Sequence, residues 1–106
     1  MGDHSKSAVY SELLEYFEQH GVSLGENGVS YMALSQAAAV GFLALLRRHS
    51  VQPLGFDIWR HTIHGYSMDS LAGWASGSPA PAAHQEALAA LASTDLGPRD
   101  VVSFQY

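Results

Sequence analysis

The sequence predicts an α/β domain with a small three- or four-stranded mixed sheet, a parallel βαβ unit and about three helices. Three patterns predict it. Apolar residues recur at helical spacing near the N-terminus, a run from Ala37 to Leu46 is apolar on nearly every side, and Leu54–Arg60 directly after it alternates between apolar and polar.

Each element follows in order. Residues 1–6 are polar and read as a disordered tail, leaving 7–106 as a single domain. From Ser7, a natural N-cap, the residues Val9, Tyr10, Leu13, Leu14 and Phe17 form one apolar helical stripe, which Gly21 stops. The opposite face carries the acidic row Glu12, Glu15, Glu18. Gly25-Glu26-Asn27-Gly28 is turn chemistry, and Val29–Ala33 reads as a short strand leading into Ser35, the cap of a second helix over 36–48. Arg47, Arg48 and His49 suit the negative end of its dipole.

Pro53 interrupts the chain before the alternating strand, in which Leu54, Phe56 and Ile58 share one face and Asp57 and Trp59 the other. Strand, helix, strand with short links predicts parallel pairing through a right-handed crossover. Thr62-Ile63-His64-Gly65 reads as a turn, Tyr66–Met68 as a returning strand, and Asp69–Trp74 as a single helical turn. After the loop Gly77–Pro81, a third helix is predicted over 82–93 with Leu88 and Leu91 inward, then a last strand from Val101 to Tyr106.

Composition narrows the function. The chain has 106 residues, 47% of them hydrophobic, which suits one domain with a real core. It lacks cysteine, so no disulfide, thiolate metal site or cysteine nucleophile is available. No apolar run is long enough to cross a membrane and no secretory leader is visible, so the cytoplasm is the expected location. With five basic residues and a net charge of −5, neither nucleic acid nor an anionic membrane is an expected partner. An acidic surface favours a basic protein partner.

Catalytic signatures are weak. His61 and His64 are spaced i, i+3 in a turn without a thiol or an intervening glutamate, so two surface histidines explain them better than a metal site. Asp57 and Asp69 approach each other if the hairpin forms, which makes Asp57, Asp69, His61 and His64 the residues of an alternative reading as a small hydrolase or metal-dependent enzyme. Solvent exposure, or an ion pair of Asp57 with Arg60, is the plainer expectation. No nucleophile elbow or phosphate-binding loop occurs. No cofactor is expected. Glu12, Glu15, Glu18, Asp57, Trp59 and Asp69 are instead the candidates for contact with a partner, because acids beside aromatics suit an interface and exposed acidic faces recruit basic surfaces.

The stretch Glu26–Ser35, the helix that follows and Val51–Ile58 resemble the immunity protein 40 family, small bacterial proteins encoded beside polymorphic toxins. Gly28, Val29, Ala33, Leu34, Pro53, Leu54, Gly55, Asp57 and Ile58 match its pattern in order. Ser30-Tyr31, Phe56 and Trp59 depart from the Asn-Glu, glycine and tyrosine of that pattern. The resemblance implies a non-catalytic protein that neutralises a cognate toxin by direct binding.

Overall fold

The computed structural model describes residues 3–24, 32–77 and 82–106. Helix α1 spans Asp3–His20, followed by the short strands β1 (Val22–Ser23) and β2 (Met32–Ala33) and by helix α2 (Gln36–Arg48). Strands β3 (Gly55–Thr62) and β4 (Gly65–Ala75), helix α3 (Ala82–Ser93) and strand β5 (Val101–Gln105) complete the chain. The turn expected at 25–28, the start of the strand expected at 29–33 and most of the 77–81 loop lie outside the described residues.

Local chemistry sets the helix ends. The Ser35 hydroxyl accepts from Ala38 N at 3.3 Å, satisfying one of the orphan donors at the start of α2. At the other end Ser50 takes a left-handed conformation (φ 57°), with Ser50 N donating to Arg47 O and Val51 N to Leu46 O. That is the paired closure by which helices end on a residue of positive φ, here filled by serine where glycine is usual. Helix α1 begins at Asp3, so part of the segment expected as a disordered tail is helical and Ser7 lies inside the helix.

Strand order in the main sheet is β4-β3-β5, and every pairing is antiparallel. A single bridge between Leu34 and Val102, with backbone hydrogen bonds of 2.7 and 2.8 Å in both directions, ties the β2 end to β5. β2 pairs with β1 in a separate antiparallel ribbon. The expected parallel βαβ pair is therefore not formed: β5 lies between the two strands that flank α2 and pairs antiparallel to β3. A short strand–helix–strand pattern specifies a crossover, but it says nothing of a strand inserted from forty residues further along.

The β3–β4 hairpin turns at Ile63-His64. The Thr62 hydroxyl accepts from His64 N at 3.1 Å and donates to Gly65 O at 3.0 Å, and Gly65 has a φ of 111°. Beyond the turn, Asp69–Trp74 belongs to β4 and is not the helical turn expected. Register breaks there: Asp57 pairs with Gly73 and Ile58 with Asp69, leaving Ser70, Leu71 and Ala72 as a bulge. Gly73 carries the kink at φ 127°, where a Cβ would meet the Phe56 carbonyl.

The three helices cover one sheet face. Phe56, Ile58 and Val102, with Leu34, pack against Leu13 and Phe17 of α1, Ala39, Phe42, Leu43 and Leu46 of α2, and Ala87 and Leu91 of α3. Phe42 is the aromatic centre, within 4.9–5.7 Å of the rings of Phe17, Phe104, Tyr106 and Tyr16. Leu24, Ala33, Trp59 and Val101 form a second, smaller cluster with Val22 and Tyr66. Among the described residues no helix is long and apolar enough to cross a membrane.

Candidate functional site

The acidic row on α1 divides once the helix is packed. Glu12 sits on the flank facing α2, where it accepts from Arg48 Nη2 at 3.1 Å and from His49 Nε2 at 2.8 Å. The His49 hydrogen bond, chiefly, and the nearby Arg48 charge hold its carboxyl below the ordinary range against the opposing effect of desolvation. Glu15 and Glu18 are exposed, and among the described residues neither has a hydrogen-bond or ion-pair partner. Beside them Tyr10 and Leu14, expected on the buried stripe, are 69% and 61% exposed. The buried arc is made instead by Leu13 and Phe17, flanked by Val9 and Tyr16. Tyr16 donates its hydroxyl hydrogen to Ala38 O, an approach that depends on Gly41, because a Cβ there would collide with that hydroxyl.

The other candidates are placed apart. Asp57 accepts from Gln105 Nε2 at 2.9 Å on one side of the sheet, not from Arg60. Trp59, expected at a contact surface, is only 8% exposed and donates its indole N–H to Ser103 Oγ at 3.0 Å. Asp69, opposite Ile58, belongs to the other side and is tied to Arg60. His61 packs its ring 5.2 Å from Tyr66, and the exposed His64 lies in the hairpin turn. Asp57, Asp69, His61 and His64 therefore do not converge. Among the described residues no group of three or more His, Asp or Glu side chains is placed to hold a metal ion.

Arg60 is the hub that sequence reasoning missed. Its Nε donates to Asp69 Oδ2 at 3.0 Å, and its Nη1 donates to Asp100 Oδ2 at 3.0 Å and to the Asp95 carbonyl at 2.6 Å. Asp100 also accepts from His61 N and Gly97 N, both at 2.8 Å. Burial opposes ionisation of Asp100, but those two N–H groups together with Arg60 bring its carboxyl below the ordinary range. The Leu71 N–H, at 3.0 Å from Asp69 Oδ1, and the Arg60 guanidinium lower the Asp69 carboxyl likewise. Hydrogen bonds to the two carboxylates raise the Arg60 guanidinium further. The signal for this network was present only as an arginine on an alternating strand; its acids come from 9 and 40 positions further along.

The arrangement is a clamp of one guanidinium between two carboxylates, and among the described residues the most exposed large apolar side chains stand elsewhere, on two surfaces. One is the acidic and apolar face of α1. The other is the outer rim of the β3–β4 hairpin, where Ile63 and Leu71 are 95% and 98% exposed. Comparison of the chain with protein-family models, with curated proteins and with solved structures finds no match.

Proposed function

We propose that this chain works by binding another protein, as an immunity protein that neutralises a cognate bacterial toxin by covering its surface. One observation carries the reading: Tyr10 and Leu14 stand exposed on α1 beside Glu15 and Glu18, two carboxylates with no compensating cation among the described residues. Large apolar side chains ringed by uncompensated charge suit a protein interface, in which the apolar groups supply affinity and the charge steers the encounter. The partner that fits is a basic toxin domain, met in the cytoplasm of the producing cell. The resemblance of residues 26–60 to immunity protein 40 points to the same class of partner.

The test is titration calorimetry with the toxin domain encoded next to this chain. A 1:1 complex is expected, with Leu14→Glu weakening it by about tenfold or more while the circular dichroism spectrum stays unchanged. Heat-silent titration of folded protein, confirmed by the absence of co-elution, would refute the reading.

A further inference from the structure

We propose that His84 is an acid-release latch: neutral, its imidazole ties the first turn of α3 to the link between α2 and β3, and protonation sets that end of the helix free. The device is built into the fold and does not depend on which partner the protein binds.

His84 is 2% exposed, although its side chain is polar and titratable. Its Nε2 lies 2.8 Å from the Val51 carbonyl oxygen. A carbonyl oxygen can only accept, so Nε2 carries the hydrogen, and in the neutral ring Nδ1 then bears a bare lone pair. Nδ1 is buried too, and among the described residues it has no hydrogen-bond partner. The acceptor on the other side is well fixed. Val51 N donates to Leu46 O at 2.9 Å in the closure of α2, and Pro53, two residues on, is fully buried. The rest of the buried face of α3 is apolar, made of Ala83, Ala87 and Leu91.

A second proton would go to Nδ1, and three features oppose it there. The charge would be sealed from water, a cost that only a paired or hydrogen-bonded ion escapes. The new N–H would have no acceptor among the described residues. The positive end of the α3 dipole lies in the same turn, which holds no acidic residue to offset it. α2 and β4 pack against α3, and neither brings a compensating charge into contact with the ring. At the end of α2, Arg47 is exposed, while Arg48 and the following His49 bond Glu12. β4 carries Asp69, bonded to Arg60, and Tyr66, beside His61. On α3 itself Glu86 is exposed, and Asp95 and Asp100 lie beyond its other end. The closed helix start therefore keeps the neutral ring, whereas the opened one lets both nitrogens reach water. Opening takes up one proton and is favoured as pH falls through the histidine range.

The experiment is amide hydrogen exchange of wild type and His84→Gln from about pH 8 to about pH 5. Protection is corrected for the intrinsic pH dependence of exchange, and the imidazole nitrogen shifts of wild-type His84 are followed by NMR over the same range. Glutamine keeps a donor for Val51 O but does not titrate, and every other histidine stays in place. Wild type is expected to lose protection at Glu86, Ala87 and Leu88 by up to about tenfold per pH unit, the limit set by one proton. His84→Gln should hold its protection there, and the wild-type ring should gain its second proton only as that protection falls. Loss of protection by His84→Gln in parallel with wild type overturns the latch. So does a wild-type ring that takes up its second proton with α3 protection unchanged, a result that stands even where the variant fails to fold. Loss confined to still lower pH belongs to Asp69 and Asp100, whose carboxyls lie below the ordinary range, and overturns the latch as well.

Discussion

Trp59 donates its indole N–H to Ser103 Oγ at 3.0 Å across the β3–β5 pair, with both side chains buried. A tryptophan beside an acidic residue on an alternating strand resembles an interface anchor, yet here the ring belongs to the second core with Leu24, Ala33 and Val101. Ser103→Ala should therefore cost about 1–3 kcal/mol in urea unfolding, the penalty for a buried donor left without an acceptor. The same variant should bind the proposed toxin partner as wild type does.

The Glu12 and Glu15/Glu18 positions should separate in the same kind of measurement. Glu12→Lys loses Arg48 and His49 and places like charges together where α1 meets α2, so its melting temperature should fall. Glu15→Lys/Glu18→Lys should melt close to wild type but associate more slowly with a basic partner, and the difference should shrink as salt is added. Stopped-flow association at two ionic strengths checks this.

Acid should open the Arg60 clamp. The carboxyls of Asp69, Asp100 and Glu12 all lie below their ordinary range in the folded protein. A lowered folded-state pKa means the unfolded chain binds protons first, so this contribution is complete above the ordinary carboxylate range. It is lost as pH falls through the lowered values. Melting temperature followed downward from neutral pH should decline on that acid side, and Arg60→Gln should make the decline shallower.

Ser50→Gly should stabilise the protein. Ser50 holds the left-handed φ of 57° that closes α2, a conformation that costs a residue with a Cβ and costs glycine little. A gain of about 0.5–1 kcal/mol in chemical denaturation is expected.

What the sequence made legible was local. Ser35 and the apolar run behind it placed α2 at 36–48, Ala82–Ser93 read correctly as a helix, and Thr62–Gly65 as a hairpin turn, because caps, periodicity and turn residues act within a few positions. The illegible parts depend on distance or on a small angle. The insertion of β5 beside β3 is settled by Val101, Val102 and Phe104 packing some forty residues from their partners. Tyr10 and Leu14 lie at one edge of the α1 apolar arc, and only the direction of packing against Phe42 decides that Leu13 and Phe17 are inside. Asp69–Trp74 has helix-compatible residues, but the Asp69–Leu71 hydrogen bond and Gly73 make a bulge of it. Of the six contact candidates, Glu15 and Glu18 remain open on α1, Glu12, Asp57 and Asp69 are tied to neighbours, and Trp59 is buried.

The most direct measurement is a two-dimensional amide NMR titration of the isotope-labelled chain with the basic toxin domain proposed as its partner. Shift changes gathered on Tyr10–Glu18, with the main core undisturbed, are the expected result. A spectrum that this partner leaves unchanged, or changes confined to Asp57, His61 and His64, would contradict the claim that the protein works through the exposed face of α1.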